Sequence, residues 1–257
     1  MSATYEGLLN AAVAAATKVK PRNMYFVACG GSLAYMYNQQ YIIDRETDIP
    51  SAILSSNEFI HRNPKGLGPG SVVVLCSHSG NTPETVAAAE FARKKGALTI
   101  AYSYKVDSPL WNAAEYQLQY DWGPEADAYN HRAGMALRFV FGFLNALSPS
   151  PLYAKALEAA KKLQAIFNAN KALFASRADA WGSSHKREPI IYTMASGPVY
   201  GEAYSFSICL LQEMQWVHSS SIHSGEYFHG PFEITDYDVP LDRKSPRLNS
   251  SHGKLTR

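Results

Sequence analysis

Val73-Val-Leu-Cys-Ser-His-Ser-Gly-Asn-Thr-Pro-Glu84 is an apolar run that stops at clustered hydroxyls and then opens a helix. Residues 71–76 read as a buried parallel strand, because aliphatic side chains follow one another without polar alternation. Pro83 suits the first helical position, where its missing N–H is no loss, and Thr82 suits the cap before it. Residues 84–95 continue as a helix. Ser77, Ser79 and Thr82 are therefore expected at a helix mouth, where unpaired N–H groups and the positive end of the helix dipole favour an anion. A phosphorylated ligand fits this cradle; an ordinary strand-to-helix turn with Ser and Thr as caps is the alternative. The stretch lacks the lysine of a Walker loop, so its donors are neutral.

The chain around this stretch alternates strands with helices. Residues 24–29 form an apolar strand that runs into Gly30, Gly31 and Ser32 and then a helix over 33–44. A short strand is expected at 52–54, a turn-rich loop at 63–70, strands at 98–104 and 116–120, and a short helix from Pro109. Alternation of this kind implies an α/β fold, a parallel sheet with helices on both faces. Helical stretches follow over 130–147 and 151–175, and residues 189–198 repeat the opening theme of a strand ending in small residues before a helix. The repeat points to a duplicated domain. The expected divisions are an N-terminal helical segment at 1–21, a first domain at 22–147, a helical linker at 148–188, a partial second domain at 189–241 and a tail at 242–257.

With 46% apolar residues in 257, the chain can bury one large core or two small ones. It has no run of about 18 uncharged apolar residues that could cross a membrane. The start, Met1 to Glu6, has neither the basic nor the apolar region of a signal peptide, so a cytoplasmic protein without membrane contact is expected. Cys29, Cys76 and Cys209 lie in or beside apolar runs, and an odd count without paired spacing argues against a disulfide framework or a zinc site. From Asp242 the sequence turns basic, apolar-poor and aperiodic, like a translated adapter standing in place of a native reading frame, and it is set aside from fold reasoning. Omitting it removes five basic residues and one acidic residue from totals of 24 and 22, which takes the net charge from +2 to −2. No basic surface remains to recruit nucleic acid.

Glu213 lies in a helical stretch in which Cys209, Leu210, Trp216 and Val217, three and four residues away, are all apolar. Burial among them is expected to raise its pKa and make it a proton acceptor near neutral pH; a structural glutamate held by a buried hydrogen bond is the alternative. Downstream, residues 219–231 read as a polar, glycine-containing loop that gathers His223, Glu226 and His229. As metal ligands these three lack a fixed geometry and a fourth group, so no metal is expected. The absence of a Gly-x-Ser-x-Gly elbow argues against a serine hydrolase.

Taken together, Ala28-Cys-Gly-Gly-Ser32, Ser77-His-Ser-Gly-Asn-Thr82, Gln212-Glu-Met-Gln-Trp-Val-His218 and Ser224-Gly-Glu-Tyr-Phe-His-Gly-Pro231 resemble the sugar isomerase (SIS) domain family over residues 22–240. The resemblance is strongest to the fructosamine 6-phosphate deglycases and weaker to the isomerase half of glucosamine 6-phosphate synthase. It implies two flavodoxin-like SIS domains, a homodimer or larger oligomer with sites at subunit boundaries, and no cofactor. It makes Ser32, Ser77, Ser79 and Thr82 the ligands of a sugar 6-phosphate, with Gly31, His78, Gly80 and Asn81 beside them. Glu213 falls where the family places its catalytic base, and His229 where it places a histidine delivered across the dimer interface.

The implied reaction cleaves a fructosamine 6-phosphate to glucose 6-phosphate and a free amine. An aldose–ketose phosphosugar isomerase and a non-catalytic phosphosugar sensor are the alternatives; a sensor would carry a DNA-binding helix-turn-helix, for which the segment before Pro21 is too short. Relatives run on past the Gly-Pro loop with further strands. The second domain is therefore expected to be incomplete, with exposed apolar surface and unpaired edges, and to fold less well than the first.

Overall fold

Ser71–Cys76 is buried at every position, as an aliphatic strand covered on both faces must be. The computed structural model describes residues 4–236 and 238–244, and the chain divides into two compact units, one up to Leu173 and one from Phe174.

In the first unit α1 (Tyr5–Val19) precedes β1 (Asn23–Ala28), followed by α2 (Gly30–Ala34) and α3 (Met36–Glu46). The helix expected over 33–44 is thus divided at Tyr35. Next come β2 (Ser51–Ser55), α4 (Ser56–Arg62), β3 (Ser71–Cys76) and α5 (Pro83–Lys94). β4 (Leu98–Ser103), α6 (Pro109–Ala113), β5 (Tyr116–Gln119), α7 (Arg132–Leu147) and α8 (Pro151–Ala160) complete the unit. All five strands are parallel, in the order β2-β1-β3-β4-β5.

Successive strand residues point to opposite faces, and each face has its own core. Phe26, Val74, Cys76 and Tyr102 pack with Leu9 and Ala12 of α1, Ile43 of α3 and Phe139 of α7. Val27, Leu75 and Ala101 pack with Phe59 of α4, Ala88 and Ala92 of α5 and Leu110 of α6. Arg138, buried on α7, is ion-paired with Glu6 of α1 and donates to Asn130 Oδ1 at 3.0 Å. That contact ties the N-terminal helix to the sheet's cover.

α9 (Leu163–His185) runs from one unit into the other. The second unit contains β6 (Ile190–Ala195), α10 (Tyr200–Ser205), a π-helical segment Phe206–Met214, β7 (His218–His223) and β8 (Leu241–Arg243). Its strands are also parallel, in the order β7-β6-β8, around Met194, Ile222 and Tyr227.

Two expectations are corrected here. Residues 219–223, read as loop, belong to β7, and Asp242 and Arg243, read as the start of an aperiodic tail, pair with Thr193 and Met194 in β8. The reason is shared: ladder hydrogen bonds come from the main chain, so polar side chains do not prevent pairing where one face stays wet. Residues 245–257, the rest of the expected tail, lie outside the described residues. Trp216 is 88% exposed, Phe228 71% and Met214 68%, so the second unit does carry uncovered apolar side chains.

Candidate functional site

An open parallel sheet takes ligands outside the carboxyl ends of its strands, where the strand order reverses. In this sheet that point lies between β1 and β3, whose last residues, Ala28 and Cys76, are register partners. Gly31 and Ser32 follow β1, while Ser77, His78, Ser79, Gly80, Asn81 and Thr82 follow β3. The residues expected to line a phosphosugar site therefore flank one crevice.

Inside the β3 loop, Ser77 Oγ lies 2.8 Å from Thr82 Oγ1 and accepts from the Gly80 N–H at 3.1 Å. The Asn81 N–H donates to Ser79 Oγ at 3.2 Å. Thr82 stands at the cap of α5, as expected, but its hydroxyl turns to Ser77 and not to the helix. Among the described residues the N–H groups of Ser79 and Thr82 have no protein acceptor. Hydroxyls and free N–H groups at the start of α5 make a nest of neutral donors suited to an oxyanion.

Gly80 permits that loop shape. Its φ is +69°, and a Cβ there would stand 1.9 Å from Ser108 Oγ. Ser108 caps α6 by accepting from the Trp111 N–H at 3.3 Å, and the Leu110 N–H donates to Gly80 O at 3.0 Å. The loop is locked against the start of α6.

The Ser32 side chain acts on the Cys76 thiol, which sets the exit of β1 beside that of β3. Burial pushes the Cys76 thiol up to about 11, against opposing effects of Arg132 and Ser32. Cys76 is therefore a neutral packing residue at physiological pH. His78 turns toward β5: its Nδ1 is 3.0 Å from Tyr120 Oη, and its ring stacks on Tyr104 with centroids 5.3 Å apart. Burial first, then the charges of Arg132 and Lys105, hold its pKa below the ordinary histidine value.

Three neighbours of this site, Tyr35, Tyr120 and Arg132, escaped the sequence reading. Tyr120 directly follows β5 and Arg132 opens α7, and the bridge between Asp121 and His131 brings the two ends of the intervening loop together. The available signal was position alone, since residues just past a parallel strand's carboxyl end face the ligand side.

The second unit holds the two expected acid–base residues. Glu213 is exposed, which corrects the expectation of a carboxylate buried among apolar neighbours. It lies in the π-helical segment, where hydrogen bonds run from i to i+5, as in the Gln215 N–H to Leu210 O contact at 3.1 Å. Residues three and four away then no longer flank it as they would on an α-helix. Trp216, just beyond, has φ +58°, a left-handed conformation unusual for a bulky residue. His229 is also exposed, on the turn after β7 where its N–H donates to Glu226 O at 3.0 Å. Among the described residues no group of His, Cys, Asp and Glu is arranged to hold a metal ion, and no helix is long and apolar enough to cross a membrane.

Residues 19–141 match the family model of the SIS domain. Over 220 residues the chain is 55% identical to the fructosamine deglycase FrlB of Bacillus subtilis, covering 85% of this chain and 67% of that protein. It is 31% identical over 235 residues to the fructoselysine 6-phosphate deglycase of Escherichia coli, covering 91% of this chain and 68% of that one. A Bacillus subtilis crystal structure described as a phosphosugar isomerase matches with a TM-score of 0.86 at 52% identity, covering 90% of this chain and 72% of that one. Its parallel sheet, its switch-point crevice and these likenesses agree: the chain belongs to the SIS-domain family, alongside the fructosamine and fructoselysine 6-phosphate deglycases.

Proposed function

We infer that this chain is a SIS-class enzyme that cleaves a fructosamine 6-phosphate to glucose 6-phosphate and a free amine. The observation that carries the reading is the nest of neutral donors at the β1/β3 switch point, occurring in a chain 55% identical to a fructosamine deglycase. Ser32, Ser77, Ser79 and Thr82 hold the 6-phosphate, with Gly31, His78, Gly80 and Asn81 shaping the same crevice. Fixing the phosphate turns proton transfer at the sugar into a positioned step.

In this reading Glu213 removes the C1 proton, which is acidified by the adjacent C2 carbonyl, and gives an enolamine. Reprotonation at C2 forms the glucose Schiff base, and addition of water at C1 expels the amine. His229 assists ring opening. The π-helical turn around Glu213 and the left-handed Trp216 support a functional role there, because such irregularities concentrate at working sites. Exposure of Glu213 and His229 in the single chain fits an oligomer in which His229 serves the partner's site, with Met214 and Trp216 as surface for that partner to cover. The free cysteines fit a cytoplasmic enzyme.

The test is release of glucose 6-phosphate from a panel of synthetic fructosamine 6-phosphates. Glu213→Gln should lower turnover at least about 1,000-fold while leaving substrate affinity within a few-fold, in line with losing a positioned base. Full activity in that variant would refute the assignment. Conversion of fructose 6-phosphate to glucose 6-phosphate, without amine release from any adduct, would favour an isomerase instead.

A further inference from the structure

Arg132 is a cation whose charge is felt at His78 in the cradle loop. It opens α7 and is half-buried. Its guanidinium lies 5.0 Å from the Tyr35 ring centroid and 5.6 Å from that of Trp122. Tyr35 Oη also donates to the Arg132 carbonyl oxygen at 2.6 Å, and the Arg132 charge acts on the Tyr120 hydroxyl. That same hydroxyl contacts His78, between Ser77 and Ser79 of the cradle loop. The charge of Arg132 thus reaches Tyr120, His78 in the loop, and Cys76, the last residue of β3.

What sets this arginine apart is its missing counter-ion. Arg138, on the same helix, is buried and paired with Glu6. Among the described residues Arg132 pairs with no carboxylate. Partial burial of a guanidinium costs solvation, and an ion pair normally offsets it. Here aromatic faces hold the plane in place, and a planar fork so held is suited to receive a carboxylate or a phosphoryl group edge-on.

We propose that Arg132 is a substrate-binding residue whose guanidinium receives an oxyanion of the substrate at the carboxyl end of the first sheet. The substrate in question rests on the deglycase reading; the oxyanion recognition does not. Two oxyanions are available on such a substrate, the 6-phosphate and a carboxylate carried by the amine portion. Both share the chemistry that Arg132 would recognise.

The test measures affinity of the wild type, Arg132→Met, Arg132→Lys and Tyr120→Phe for three probes. These are glucose 6-phosphate, the fructosamine 6-phosphate of glycine, and that of propylamine, which has no carboxylate. Arg132→Met should weaken binding about 10- to 100-fold, the range of a charged hydrogen bond, and flatten its dependence on ionic strength. An equal loss for all three probes identifies the phosphoryl group as the partner; a loss confined to the glycine adduct identifies the carboxylate. Arg132→Lys, which keeps the charge and stem, should retain the salt dependence and lose part of the affinity. If Arg132→Met does not fold, Arg132→Lys and Tyr120→Phe carry the test through loss of the oriented fork. Unchanged affinity and salt dependence in the folded variants would overturn the proposal. Failure of the wild type to release glucose 6-phosphate, with the Arg132 effects on glucose 6-phosphate binding intact, would overturn the deglycase reading alone.

Discussion

Replacing Gly80 by alanine tests whether the cradle loop is locked in the way its geometry indicates. The added Cβ would lie 1.9 Å from Ser108 Oγ and 2.3 Å from Ser108 Cβ. Rotating the serine side chain removes the first clash but not the second, since Cβ does not move with χ1. The loop or the start of α6 must therefore shift, and relief of such overpacking costs about 1–3 kcal/mol. A left-handed φ of +69° adds about 1 kcal/mol for a residue with a Cβ. The expected loss is about 2–4 kcal/mol, to be read from urea unfolding of Gly80→Ala against wild type. Ser108→Gly removes both clashing atoms at the cost of the α6 cap, only about 0.3 kcal/mol because glycine is itself a tolerated cap. Combined with Gly80→Ala it should show a favourable coupling of about 1–2 kcal/mol, because contacting sites are not additive. Because the shift displaces Ser77 and Ser79, Gly80→Ala should also weaken glucose 6-phosphate binding at least about tenfold. A loss below about 0.5 kcal/mol, the scatter of neutral surface changes, with normal phosphosugar affinity, would refute the argument.

Two further outcomes are expected. Glu6→Gln should destabilise the first unit by about 1–2 kcal/mol in urea unfolding, less than a fully buried pair because Glu6 is 56% exposed while Arg138 is 2% exposed; no change would show that Asn130 and Tyr129 satisfy Arg138 by themselves. Stability should also fall as pH drops below the ordinary histidine value of 6.5, since burial lowers the pKa of both His78 and His131 in the folded state and the unfolded chain then binds more protons. His78→Gln should reduce the difference between melting temperatures at pH 8 and pH 5.5; an unaltered difference would show that His78 is not part of that linkage.

The alternation of strands and helices was legible because it rests on short-range rules. An aliphatic run such as 71–76 must be covered on both faces, and Pro83 and Thr82 punctuate the helix start wherever the rest of the chain lies. The cradle residues were legible for the same reason, being neighbours in a single loop. The second unit was harder. Ser219 to Ser221 are polar and read as loop, yet they pair with Ile191 to Thr193 through main-chain bonds to which side-chain type is nearly indifferent. Glu213 was misjudged because its burial was argued from α-helical spacing, and the main chain there takes a π-helical path that no periodicity in the sequence signals.

By itself, then, the sequence determined the α/β alternation, the strand that carries the hydroxyls and the glycine that lets them turn, because each depends on residues within a few positions. Only the tertiary structure decided that β1 and β3 lie side by side at the switch point, that Ser32 meets Cys76, and that Arg132 and Tyr120 stand beside His78. These pairings join residues far apart in the chain. Strand order and helix cover set them through burial of a common core, which local sequence cannot encode one segment at a time.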